Sequence, residues 1–318
     1  LNATSLFDVA GTNRYQGVVY PFVESYATAS VWLDGRFNAN NRLLDGVAFT
    51  LKMDTYANCL TALGTANSKS IVIFTDKLNT GIAGYQGISG QEPSHDVLSA
   101  FAALRALRLT AGASISQYLT TKASADQFGG PALASLPYFN STLPNLSLPF
   151  QGAGFTDSEI TSLEAQGGSV IGQNTNGTNV LVGAVRTTYK TDPAGNPDPS
   201  FKYLNYVDTM SNIREYFFNN YKSRFAQSRL TEGTTMRGRD QVNRAMFEAC
   251  TDHLYGDLSD AEFVLCQAGE DALKFFKKNR IVTLDLETGT VNVNMLVPIV
   301  TQVRNIIGTV KIAFSTEG

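Results

Sequence analysis

Between residues 208 and 230 the chain reads DTMSNIREYFFNNYKSRFAQSRL, with Met210, Ile213, Phe217, Tyr221 and Phe225 recurring at three- and four-residue steps. That spacing puts one aromatic stripe on one face of an α-helix. Asp208 reads as its N-cap, because a carboxylate there accepts the orphan N–H groups of the first turn. Lys222 and Arg224 fall in the last turn, where cations suit the carbonyl end of the helix dipole. The stretch predicts a helix that docks a broad aromatic face and carries cations at its exit.

Upstream, the pattern alternates between strand and helix. Residues 14–23, RYQGVVYPFV, have strand composition and are closed by Pro21. A helix is expected over 24–37, a strand over 45–53 and a short helix over 55–63. Residues 70–74, SIVIF, form a continuous apolar run of the kind found in a strand covered on both sides. Strand, helix and strand in this order make a βαβ unit and point to an α/β domain. Residues 94–110 predict a further helix with Val97, Leu98, Phe101, Leu104 and Leu107 as its apolar face and Arg105 and Arg108 on its polar side.

From 126 to 150 the periodicity gives way to Gly129, Gly130, Pro131, Pro137, Pro144 and Pro149, the best candidate for a crossing between domains. The expected division is 1–135 and 136–318. Thr156 and Glu159 have capping-box spacing and open a short helix. Strands over 169–171 and 180–189 flank Asn176-Gly177, a strong hairpin signal, and 192–200 is a turn cluster. A helix over 241–254 is expected to group Val242, Ala245, Met246, Ala249 and His253 on one side. A short helix over 271–277 precedes a hairpin of 281–286 with 290–295. A last strand over 308–314 alternates Val310 and Ile312 against Thr309, Lys311 and Ala313. Lying near the end of the chain, this strand is a candidate for pairing with another subunit, and Lys311 suits an edge.

The chain has 318 residues, a formal net charge of −3, 43% hydrophobic and 17% charged residues. This describes an ordered protein long enough for two cores, and its charge argues against a general nucleic-acid binder. No apolar run reaches the ~18 residues of a membrane span, and no basic and apolar leader is visible. The first residue is Leu1, which reads as processing or as a longer protein missing its N-terminal part. Cys59, Cys250 and Cys266 are odd in number and widely spaced, and read as reduced core thiols.

The motifs that carry chemistry are weak. A glycine-rich loop from Gly81 to Gly90, GIAGYQGISG, follows a predicted strand, yet has neither the Gly-Lys-Ser/Thr ending of a Walker loop nor dinucleotide-fold spacing. His95 sits beside a helix start with no nucleophile motif near it. Cys250, His253 and Cys266 lack the paired spacing of a zinc site. No catalytic residue, metal site or cofactor is therefore assigned. The one charge feature is a basic run, Lys222, Arg224, Arg229, Arg237, Arg239 and Arg244, which fits an acidic protein partner.

Taken together, residues 126–315 resemble the tail sheath proteins of contractile-tailed bacteriophages, most closely the Mu-like group. The resemblance is carried by GSVIGQNTNGTNVLVGAVRTTYKTDPAGNPDPSFKYLNYVDT, similar to that family's hairpin and Arg-Thr-Thr-Tyr strand. It continues in NIREYFFNNYKSRFAQSRLTEG, and in ALKFFKKNRIVTLDLETGTVNVNMLVPIVTQVRNIIGTVKIAFS with its Val297-Pro298 step. The collinear set covers more than half the chain. The stretch RYQGVVYPF at 14–22 resembles an early strand of the family more weakly. Two departures stand out: a full-length sheath protein carries an N-terminal region before the equivalent of Arg14, and TEGTTMRGRDQ replaces a less basic, proline-containing segment.

The resemblance implies a mixed α/β (α+β) chain, an α/β sheath domain over 1–135 followed by a C-terminal sheath domain over 136–318 that packs around a tail tube. It implies no enzyme and no cofactor. The implied role is a virion subunit, assembled in the bacterial cytoplasm, that polymerises as stacked hexameric rings and contracts to drive the tube through an envelope. Its implied partners are further copies, the tail tube protein, the baseplate and the tail terminator, with neither nucleic acid nor membrane insertion. Lys222, Arg224, Arg229, Arg237 and Arg239 are the candidate tube or neighbour contacts, and 309–313 the candidate inter-subunit strand. The competing expectation from a different class is an α/β nucleotide-binding enzyme using the Gly81–Gly90 loop.

Overall fold

Three parallel strands carry the first core: β1 (Gly17–Val19), β2 (Val47–Asp54) and β3 (Ile71–Lys77). The computed structural model describes residues 15–21, 23–37, 45–78, 93–111, 138, 141, 143, 154–173, 179–181, 183–233, 240–259 and 265–300. Alternate side chains of β2 and β3 enter two different clusters. Phe49, Leu51, Val72 and Phe74 face one way, and Ala48, Ile71 and Ile73 the other. On the second face lie helices α1 (Tyr26–Arg36) and α2 (Tyr56–Gly64), through Ala29, Leu33, Cys59 and Leu63. On the first lies α3 (Ser94–Ala111), through Val97, Leu98 and Phe101. A sheet covered on both faces needs apolar residues at successive positions, which is why the SIVIF run belongs to a strand. The predicted βαβ unit is β2–α2–β3.

Helix α4 (Asp157–Ala165) starts with the predicted capping box. The Glu159 N–H donates to Thr156 Oγ1 at 3.3 Å, and the Thr156 N–H donates to Glu159 Oε2 at 2.8 Å. It delivers β4 (Gly168–Gln173) parallel to β3, and β5 (Asn179–Leu181) returns antiparallel to β4. The five-stranded order is β1-β2-β3-β4-β5, so this sheet takes strands from both sides of residue 135. Gly168 sits where a Cβ would lie 2.7 Å from Leu63 Cδ1 and 3.0 Å from the Leu163 carbonyl oxygen, so the close approach of α2, α4 and β4 requires glycine.

Strand β5 ends eight residues before the predicted limit at 189. Beyond it the chain makes isolated main-chain bonds, Thr188 N–H to the Ile71 carbonyl at 2.9 Å and Thr187 N–H to the Lys202 carbonyl at 3.1 Å, and side chains add to them. The Thr188 hydroxyl accepts from the Ser68 N–H and donates to the Ser68 carbonyl, and Asn67 Oδ1 accepts from the N–H groups of Lys190 and Thr191. Lys190 Nζ reaches the Leu63 carbonyl at 2.9 Å and closes the end of α2. The Arg-Thr-Thr-Tyr segment is thus a strap over the α2–β3 corner.

The organising helix is α5 (Leu204–Phe225), with Tyr203 as its N-cap. This corrects the assignment of Asp208 as the cap and of 230 as the end. The helix begins a turn earlier because Leu204 and Val207 are buried in the first core, and Asp208 is 1% exposed inside the second turn. Its partner corrects a second expectation: Arg105, read as lying on a polar helix face, is 5% exposed and meets Asp208 in a fork, Nη2–Oδ1 2.5 Å and Nε–Oδ2 3.2 Å. Burial works against the Arg105 proton, and Asp208 outweighs it, holding the guanidinium above its ordinary pKa.

Past α5, β6 (Arg229–Leu230) pairs in parallel with β7 (Gln241–Val242), followed by α6 (Arg244–Ser259) and α7 (Glu270–Asn279). The last hairpin joins β8 (Ile281–Asp285) to β9 (Thr290–Asn294), with Ile281 opposite Asn294. Gly289 closes its turn at φ +68°, a conformation glycine adopts without cost. The second core gathers Ile213 and Phe217 of α5, Leu254 and Tyr255 of α6 and Phe276 of α7, with the Tyr255 and Phe276 rings stacked at 4.2 Å. The buried face of α6 is Phe247, Cys250, Leu254 and Leu258. The predicted face holding Ala245, Met246, Ala249 and His253 is exposed. Alanine and methionine satisfied the periodicity, but the larger Phe247, Leu254 and Tyr255 bury more apolar area and fix the rotation.

Cys59, Cys250 and Cys266 are all free and buried. Burial raises the Cys59 thiol to about 11 and the Cys266 thiol to about 12.

Candidate functional site

The aromatic stripe predicted for α5 is not wholly consumed by the core. Ile213 and Phe217 are buried, Met210 and Tyr221 are half-buried, and Phe218 is 45% exposed. Opposite this face runs β9, and between the two lies an open groove of about 480 Å³. Its lining combines Met210, Phe217, Phe218 and Tyr221 of α5 with Val291 and Val293 of β9, and continues to Met295 and Val297.

The groove follows from local chemistry. In β9 valines alternate with Thr290, Asn292 and Asn294, so one face turns inward and the other stays exposed. The inward face joins a small cluster with Val242, Phe247 and Val282. β9 is bonded to β8 along one edge, and among the described residues no strand pairs with its other edge. An open strand edge beside an apolar helical face can take an extended segment: main-chain groups supply hydrogen bonds and the groove supplies pockets for alternate side chains. Tyr221, whose hydroxyl is 2.6 Å from Thr251 Oγ1, is fixed against α6, and burial raises its pKa. The groove wall is therefore pre-organised.

The basic run is only partly gathered. Lys222 and Arg224 are exposed at the end of α5, and Arg224 Nη1 lies 3.6 Å from Cys250 Sγ. Arg229 is exposed and pairs with Asp240 at 3.0 Å, and Arg244 pairs with Glu248 at 2.8 Å. Local acids thus offset part of the predicted patch, a feature spacing alone did not reveal. Arg237 and Arg239 lie outside the described residues, as do the Gly81–Gly90 loop, the Asn176-Gly177 turn and the candidate strand Thr309, Val310, Lys311, Ile312 and Ala313. His95 is an exposed cap-region side chain 3.5 Å from Asp96. Among the described residues no three His, Cys, Asp or Glu side chains converge as metal ligands, and no helix is long and apolar enough to cross a membrane.

No protein-family profile matches the chain, and no curated protein matches it significantly. Solved structures do. A sheath tail protein from Listeria innocua aligns over 93% of this chain and 56% of its own at a TM-score of 0.55 and 10% identity. A chain of the anti-feeding prophage baseplate aligns over 98% of this chain and 72% of its own, at 0.53 and 9% identity. The sheath complex of an extracellular contractile injection system, in its contracted state, aligns over 98% and 75%, at 0.52 and 12% identity. The fold is that of contractile-sheath proteins. The chain spans between about half and three quarters of the length of these structures, and the α/β organisation expected from the sequence is the one observed.

Proposed function

We propose that this chain is a sheath subunit of a contractile tail, of the Mu-like phage group, or of a related contractile injection particle. It polymerises as stacked hexameric rings around a tail tube and contracts to drive the tube through an envelope. The observation that carries this reading is the likeness of fold to sheath chains over 93–98% of the molecule. The role is structural and needs no cofactor. Its partners are further copies, the tube protein, and the baseplate and terminator at the two ends, in a particle assembled in the bacterial cytoplasm.

Within that reading, the groove beside β9 is where a neighbouring copy docks. The occupant is an extended segment, and residues 309–313, with Val310 and Ile312 alternating against polar neighbours, are the donor the sequence pattern favours. The tube-facing surface is assigned to residues 136–318. Lys222, Arg224, Arg229, Arg237 and Arg239 are the cations assigned to the tube or to a neighbour.

Removing residues 306–318 tests the linkage. The truncated chain is expected to fold and stay soluble but to form no sheath-like polymer by sedimentation and electron microscopy. Normal polymerisation of the truncated chain would refute the linking strand, and failure to fold would assign those residues to the subunit's own core.

A further inference from the structure

Helix α5 is shared by both cores: Leu204 and Val207 belong to the first, Ile213 and Phe217 to the second. Whatever sets the rotation and height of α5 against the sheet therefore sets how the two cores are held. Apolar contacts at such a crossing are only weakly directional. Two polar contacts are not. Asp208 receives the fork of Arg105, whose remaining Nη1 donates to the Gln16 carbonyl at 2.6 Å. One turn further along, the Ser211 hydroxyl donates to Asp45, and Arg214 Nη1 lies 3.8 Å from the same carboxylate while its guanidinium sits 4.7 Å over the Phe37 ring. Asp208 and Asp45 are 1% and 3% exposed.

We infer that these contacts, and the Arg105–Asp208 fork above all, are an orienting key that admits one placement of the second core relative to the sheet. A bidentate guanidinium–carboxylate pair is planar and short, so it accepts a narrow range of geometries. A helix rotated or slid by one position would leave a buried guanidinium beside an apolar surface. Burying such a pair is a poor way to gain stability, because apolar residues of similar volume fill the same space without the cost of desolvation. What the pair supplies is selection among packings. Two anchors a turn apart on one helix fix both its rotation and its height. This inference is independent of the sheath reading.

The test separates orientation from stability. Spin labels are placed on exposed positions of the two cores, Val31→Cys on α1 and Lys278→Cys on α7, leaving the buried native thiols unlabelled. The inter-label distance distribution and the denaturant midpoint are then read for the parent, for Arg105→Met with Asp208→Leu, and for Asp208→Asn. The expected result is a single narrow distribution in the parent that broadens or splits in the double variant, whose midpoint reports the separate cost of leaving the Gln16 carbonyl and the Tyr138 hydroxyl without Arg105 and Asp208. Asp208→Asn is expected to broaden the distribution too, and it carries the test if the double variant does not fold. Thr156→Ala, which weakens a remote cap, is expected to lower the midpoint without broadening. A distribution that stays single and narrow in a folded variant lacking the fork would overturn the inference. So would equal broadening in Thr156→Ala.

Discussion

Phe217 is 3% exposed, and its ring packs 5.8 Å from Tyr221 in the second core while also flooring the groove. Phe217→Ala is expected to destabilise the protein by about 3–5 kcal/mol through lost aromatic burial and a residual cavity, and an unchanged urea midpoint would contradict that. The thiols make a second residue-scale test. Cys59 and Cys266 are held neutral, at about 11 and about 12, above the ~8.5 of an exposed thiol. A pKa raised in the folded state adds stability that is complete below the unfolded value and lost as pH rises through the folded one. Stability should therefore fall between about pH 9 and 12, and thiolate absorbance should appear only with unfolding. Thiolate absorbance in the folded protein at pH 9 would contradict the burial. The fate of Arg105 shows where sequence reading stops at this scale. An arginine on an amphipathic helix is normally solvated, and its partner Asp208 lies 103 residues away, so neither residue type nor spacing could announce the pair.

Among elements, legibility followed how many independent local signals agreed. Helix α4 was legible because Thr156 and Glu159 each satisfy an orphan donor of the other, and the structure has both bonds. Thr156→Ala should cost about 1 kcal/mol, measured as a lower midpoint with an unchanged denaturant slope; no change would mean that the capping box contributes nothing. The β8–β9 hairpin was equally legible, since alternating valines and Gly289 specify both register and turn. The face of α6 was misjudged because small residues keep the helical period without deciding which side is buried. The region after β5 was misread as strand because Thr187 and Thr188 have strand propensity, whereas their hydroxyls are bonded to the Phe201 carbonyl and to Ser68. The groove itself was only half visible. The stripe on α5 could be read, but not that β9 stands off it far enough to leave part of that stripe open.

For the whole molecule, the two cores are joined by an unbroken helix of 22 residues, LNYVDTMSNIREYFFNNYKSRF, with no glycine or proline inside it. Such a helix couples the position of one core to that of the other. The α/β class and the βαβ unit were readable from the chain, because they rest on local periodicity. The sharing of one sheet across residue 135 was not, since parallel pairing of β3 with β4 is non-local. The central claim is assembly, and electron microscopy of the purified full chain, with and without a tube protein, tests it most directly. The account predicts rings or tubular polymers of regular repeat whose subunits meet through the groove beside β9, and discrete unassembled particles under both conditions would contradict it.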